Sequence, residues 1–228
     1  MSKPTLIRRL VPLAIALGVA GGAAWWFAAP ASGPQLPAVA GPAEAQGTPV
    51  ADYARVPDMV RGDPDAPVTV IEYASFTCPH CANFHGSVFP RLAEAFIDTG
   101  QVRWIKREVF FDRPGLWAAM LARCGDDSRF FPMVDLIYQT QREWAASNDP
   151  AEIAENLRRL GRRTGLTDDQ VDACLMDAEQ AQAMVATYQA HAVEHEVRAT
   201  PSFVINGEKH SNMSFEAFSA LLDSKLEG

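Results

Sequence analysis

The chain has 228 residues, of which 48% are hydrophobic and 21% charged, with 20 basic side chains against 28 acidic ones and a net charge of −8. That length favours one domain with an appendage over two full domains, and the composition excludes a wholly disordered or collagen-like chain. The acidic balance lacks the electrostatic footprint of a nucleic-acid binder, so no nucleic-acid partner is expected.

The amino terminus sets the compartment. Lys3, Arg8 and Arg9 precede an uncharged apolar run from Leu10 to Ala31, and no charge follows until Glu44. Residues 1–31 therefore read as an export signal. As a helix the run would reach about 33 Å, enough for a hydrocarbon core of about 30 Å, and Trp25, Trp26 and Phe27 lie where an interfacial belt belongs. Those features fit a retained inner-membrane anchor through residues 10–31, whereas Ala29-Pro30-Ala31 before Ser32 fits a cleavage site. Both readings place the remainder outside the cytoplasm, in the periplasm. Cleavage would leave 17 basic against 28 acidic residues, a net charge of −11. Residues 32–50 are rich in proline, alanine and glycine, a composition that reads as an extended tether. Residues 51–228 show no internal repeat and are expected to form one domain.

Val68 to Phe76 is apolar on both alternating sets, as in a central strand buried on two faces. Thr77 is placed to cap a following helix, with Pro79 in its first turn, Cys81, Phe84, Val88, Leu92 and Phe96 at helical spacing, and a kink at Pro90. Val102 to Phe111 reads as a second strand, parallel to the first because a crossover helix separates them. From about 115 to 197 the signals are helical, with breaks at Gly125, Pro132, Asn148-Asp149-Pro150 and Gly165. Ser202 to Asn206 returns to strand, Asn206-Gly207 predicts a hairpin, and Ser214 caps a last helix through Leu226. The order is βαβ, helical insert, ββα.

Cys78-Pro79-His80-Cys81 falls at the first strand-to-helix junction. Unpaired amides and the helix dipole favour a thiolate there, and a donating His80 would favour it further. Cys78 is thus the expected nucleophile and Cys81 the resolving thiol. No second cysteine pair has this spacing, which argues against a closed zinc site, and Ala82 in place of histidine excludes c-type haem attachment. Glu72 shares a strand face with Val68, Val70 and Ala74; desolvation there is expected to raise its pKa and suit it to exchange a proton with Cys81. Cys124 and Cys174, 50 positions apart in the insert, are expected to pair in an exported protein. His191 and His195 are four apart but lack a third ligand and read as core or solvated histidines, so no metal site is assigned.

Gly62-Asp-Pro-Asp-Ala-Pro-Val68, the strand ending in Phe76-Thr-Cys-Pro-His-Cys81, and Thr200-Pro-Ser-Phe-Val-Ile-Asn-Gly207 resemble the DsbA family of thiol-disulfide oxidoreductases over roughly residues 53–226. The resemblance implies an α/β, thioredoxin-like fold with an inserted helical domain. It also implies a cis bond before Pro201, substrate docking on the Thr200 backbone and a buried acid at Glu72. Pro79-His80 is similar to the strongly oxidising members, and Cys124 with Cys174 to a subgroup with an extra disulfide. The leading expectation is an oxidase of reduced secreted proteins, needing no cofactor and recycled by a DsbB-like membrane oxidoreductase. A reductase or isomerase uses the same residues with a different membrane donor. A metal-binding chaperone using Cys78, Cys81 and His85 is the alternative from another class.

Overall fold

The computed structural model describes residues 50–227; the segments read as an export signal, 1–31, and as a tether, up to residue 49, lie outside the described residues. Five strands form one sheet in the order β1-β3-β2-β4-β5: β1 Met59–Arg61, β2 Val68–Ala74, β3 Val102–Glu108, β4 Ser202–Ile205 and β5 Glu208–Ser211. Strands β2 and β3 are parallel and every other pair is antiparallel. The β2 strand is central, as its two-faced apolar pattern requires. The expected parallel partner is β3, and Glu72 stands beside Lys106 in that ladder.

Strand β1 has no counterpart in the sequence reading. Three residues are too few to show a period, and β1 exists because Met59 to Arg61 can pair with Lys106 to Trp104 at the sheet edge. Gly62 then turns the chain at φ 100°, where a Cβ would sit 2.4 Å from the Val102 carbonyl oxygen. At the other end, Asn206 and Gly207 both have positive φ, the conformation a tight β-hairpin needs. Asn206 also fixes the sheet, accepting from Thr69 N through its Oδ1 at 2.8 Å.

Helix α1 spans Pro79–Ser87. Its N-cap is Cys78, not Thr77 as expected, because the Thr77 hydroxyl is drawn off to donate to Asp112 Oδ2 at 2.8 Å. Pro90, with no N–H to donate, interrupts the helical path: α2 restarts at Phe89–Leu92 and continues as a π-helical turn, Ala93–Ile97. Phe84, Phe89, Leu92, Phe96, Trp104, Phe203 and Phe218 form an apolar core between these turns, the sheet and the last helix, α9, Phe215–Leu226. Ser214 caps α9 by accepting from Ala217 N.

Between β3 and β4 the chain is helical: α3 Arg113–Ala122, α4 Phe130–Gln139, α5 Gln141–Trp144, α6 Pro150–Arg163, α7 Asp168–Leu175 and α8 Ala178–Glu194. Asp112, Asp149, Thr167 and Asp177 cap α3, α6, α7 and α8 with side-chain oxygens. Pro132 does not break the insert as expected. It lies in the first turn of α4, where its missing N–H leaves no helical bond unmade. The break comes instead at Thr140, whose hydroxyl donates back to Leu136 O at 2.7 Å. A second core made mostly of insert residues runs from Leu116 through Val134, Ile137, Leu157 and Val171 to Met184, and takes in Phe76 and Cys81 from the sheet side. Among the described residues no helix is long and apolar enough to cross a membrane.

Cys124 and Cys174 are joined across α3 and α7, with Cα atoms 5.7 Å apart. On chain-entropy grounds a bridge closing 50 residues constrains the unfolded chain by up to about 4 kcal/mol. The Cys124→Ala/Cys174→Ala double variant should lose about 2–4 kcal/mol in urea unfolding. A loss within experimental error would show that the bridge contributes nothing to stability.

Candidate active site

Four pieces of chain meet at Cys78: the end of β2, the first turn of α1, the α4–α5 joint and the loop before β4. At the start of α1 the Cys78 N–H donates to Ser75 O at 3.2 Å, closing a turn, and the first helical bond runs from Ala82 N to Cys78 O at 3.1 Å. Pro79 has no N–H, so the amides of His80 and Cys81 are the donors left unpaired in this turn, and both reach the Cys78 sulfur. The Cys81 thiol donates to the same sulfur and is the largest contributor to its acidity. These donors outweigh burial and hold Cys78 at about 5. What His80 brings to the sulfur is its backbone N–H; its imidazole is exposed.

Cys81, one turn in, is wholly buried. Burial, its bond to Cys78, the Cys78 charge and the Glu72 carboxylate all push it far above an ordinary thiol. The two cysteines are therefore sharply unequal: one is a thiolate at neutral pH and the other stays protonated. The bond from Thr200 to Pro201 is cis, and the Thr200 carbonyl oxygen lies 3.5 Å from Cys78 Sγ.

Glu72 is buried on the face expected of it, but its ionisation is the reverse of expectation. Burial alone would raise its carboxyl, yet the Lys106 charge and the hydrogen bonds from His85 and Trp104 overcome this and hold it below the ordinary carboxylate value. Lys106 Nζ, itself fully buried, is 3.7 Å from Oε2; Trp104 Nε1 donates to the same oxygen at 3.2 Å, and His85 Nε2 is 2.8 Å from Oε1. Burial pushes His85 down, so the imidazole is neutral and donates its Nε2–H to Glu72. Its Nδ1 has no partner, an arrangement a bare lone pair tolerates better than an N–H does. Lys106 thus supplies the positive charge, and the Glu72 carboxylate stands near Cys81 as an anion.

The sequence reading missed Lys106, although Val102, Trp104 and Lys106 share one face of β3 at the period of a strand and place a cation in an apolar row. It named His85 only as a metal ligand, whereas His85 is turned to Glu72. Among the described residues no group of three potential ligands could hold a metal ion. His191 is buried and stacks on Tyr53, and His195 Nδ1 meets the Tyr73 hydroxyl at 2.6 Å, so the two histidines serve different contacts.

A paired thiol at a helix start, facing a cis-proline loop on a sheet of this order, defines a thioredoxin-like site. The family model described as Thioredoxin matches residues 54–224. A Rickettsia bellii protein provisionally named protein-disulfide oxidoreductase is 35% identical over 171 residues, which make up 75% of this chain and 65% of that one. Disulfide bond formation protein D of Bacillus subtilis is 25% identical over 178 residues, 74% of this chain and 77% of that protein. The crystal structure of Wolbachia pipientis alpha-DsbA1 matches with a TM-score of 0.70 at 29% identity, covering 75% of this chain and 92% of that one. The chain belongs to the thioredoxin family and, within it, to the DsbA type with a helical insert. It spans 60–65% of the length of Rickettsia relatives.

The buried pair yields a direct test. Lys106→Met keeps the bulk but leaves Glu72 without its cation, so unfolding should show a loss of about 3–5 kcal/mol at pH 8. Without the cation the Glu72 pKa rises above its unfolded value, so stability is regained as pH falls and the carboxyl takes up a proton. The deficit should therefore shrink by pH 5. A deficit that is the same at both pH values would mean that Glu72 does not depend on Lys106.

Proposed function

We propose that this chain is an exported protein thiol-disulfide oxidoreductase that works as an oxidase on reduced secreted proteins. The carrying observation is the inequality of the two thiols, Cys78 held at about 5 and Cys81 held protonated. A substrate thiolate attacks the Cys78 sulfur of the Cys78–Cys81 disulfide, forming a mixed disulfide, and Cys81 leaves and takes up a proton. A second substrate thiolate then attacks the substrate sulfur of the mixed bond and expels Cys78 as a thiolate. Two electrons pass from the substrate dithiol to the cysteine pair. The second expulsion is favoured because Cys78 is a good leaving group, stabilised by the Cys81 thiol and by the amides of Cys81 and His80.

In this reading Thr200 and Pro201 form the substrate rim. The Thr200 carbonyl oxygen lies beside Cys78 Sγ, within reach of a substrate backbone joined to that sulfur. Pro79 supports the geometry by giving α1 a first residue with no N–H of its own. Glu72 disfavours loss of the Cys81 proton and so disfavours premature attack by Cys81. The reduced pair would be reoxidised by a DsbB-like membrane oxidoreductase, in the periplasm, with the chain anchored or released according to the fate of residues 1–31. The names of the Rickettsia and Bacillus relatives agree with disulfide chemistry of this kind.

With Cys81 replaced by alanine, the resolving thiol is gone, and mixed disulfides on Cys78 should accumulate with exported proteins in cells. Recovery of no Cys78-linked protein from cells carrying Cys81→Ala would count against the reading. The stability test follows from linkage. The folded Cys78 pKa lies below the unfolded value of about 8.5, so its contribution to the reduced form is fully present above that pH and is lost as pH falls through about 5. Reduced protein should therefore unfold at higher urea than oxidised protein at pH 7, and the gap should close by pH 4. An oxidised form that is the more stable at pH 7 would favour a reductase.

A further inference from the structure

The turn that carries Cys78 is held from outside the thioredoxin core. Gln141 is the first residue of α5, in the helical insert, and its side chain is buried against the end of β2. Its Nε2 donates to Phe76 O at 2.7 Å and to Cys78 O at 3.0 Å. Two carbonyl acceptors fix which end of the carboxamide faces the turn, since an amide oxygen there would meet two other oxygens. One turn earlier on the insert, the Tyr138 hydroxyl donates to Ser75 O at 3.3 Å. The carbonyls of residues 75, 76 and 78 are thus all met by insert side chains.

We propose that Gln141 is a positioning residue, whose carboxamide clamps the Phe76 to Cys78 backbone and so aims the first amides of α1 at the Cys78 sulfur. The inference rests on the reading of Cys78 as the nucleophile. The residue type fits the task. Only asparagine and glutamine carry two donors on one neutral nitrogen, and asparagine is a methylene shorter. A lysine or arginine would bury a charge beneath the active-site turn at a desolvation cost. Because Gln141 is uncharged, its influence on the sulfur runs through geometry: the Cys78 carbonyl and the Cys78 sulfur belong to the residue whose orientation sets the distances to the His80 and Cys81 N–H groups. The Phe76 ring lies 5.0 Å from Tyr138, so the apolar side of the turn is already packed against the insert. Gln141 supplies the polar restraint that packing alone does not.

The experiment follows the ultraviolet absorbance of the Cys78 thiolate against pH in reduced protein with Cys124 and Cys174 still paired. In Gln141→Met, close in volume but without donors, the midpoint should rise from about 5 by about one unit, a tenfold loss of thiolate at pH values below both midpoints. Asn156→Leu serves as the control. Asn156 Nδ2 donates to Trp144 O at 3.2 Å, so its loss loosens the same insert away from the turn and should lower stability while leaving the midpoint unmoved. If Gln141→Met does not fold, Gln141→Ala, which adds no bulk, is titrated in its place with the same expectation. An unmoved midpoint in the folded Gln141 variant would overturn the proposal, as would an equal rise in Asn156→Leu. An ordinary thiol midpoint in the unaltered protein would overturn the nucleophile reading itself, and this inference with it.

Discussion

The chemistry of the site depends on the donors gathered at the Cys78 sulfur, the Cys81 thiol first and with it two backbone N–H groups that have no helical partner. The first turn of any α-helix leaves such donors free, and here a proline at the first position and a cysteine at the N-cap leave the amides of His80 and Cys81 to the Cys78 sulfur. A sulfur in that position is stabilised as an anion, whereas a disulfide there carries no charge to receive the same benefit. The stabilisation of a Cys78 anion is therefore built from the Cys81 thiol and from backbone geometry.

The second constraint is electrostatic and acts on Cys81. A carboxylate buried at the centre of a sheet is costly unless cation and donors are supplied, and Glu72 receives Lys106 from the neighbouring strand, Trp104 from the same strand, and His85 from α1. That arrangement ties the two central strands and the active-site helix to one buried oxygen pair. Placing a fixed anion near Cys81 also separates the two thiols, since the same field that disfavours a Cys81 thiolate leaves its proton available for the bond to Cys78.

The helical insert closes the arrangement from the opposite side. Thr77 is drawn to Asp112, the N-cap of α3, and the carbonyls of residues 75, 76 and 78 are met by Tyr138 and Gln141. The insert is itself held by capped helices, an apolar core and the Cys124 to Cys174 bridge. Its order thus reaches the sulfur through hydrogen bonds to the turn, which gives the inserted domain a place in the chemistry besides shaping the surface.

Much of this was legible in the chain. The two-faced apolar run of β2, the cysteine pair directly after it, the Asn206-Gly207 hairpin and the Ser214 cap are local patterns, and local patterns survive because strand pleat, helix period and turn conformation are set by neighbouring residues. What the chain by itself could not decide were effects that depend on residues far apart in sequence. Thr77 is a good cap in isolation, but its hydroxyl is taken up by Asp112, 35 positions away, and the N-cap is Cys78. Glu72 on an apolar face predicts a raised carboxyl; Lys106 and Trp104, 34 and 32 positions on, make it an anion. Gln141 carries no sequence signal at all, because a single amide becomes a clamp only when another element brings two carbonyls to it. Apart from β1 and the joints of the insert, the sequence determined where the strands, helices and thiols lie; the tertiary structure decided which groups are charged and which way they point, because charge and orientation are settled by the partners that packing brings within a few ångströms.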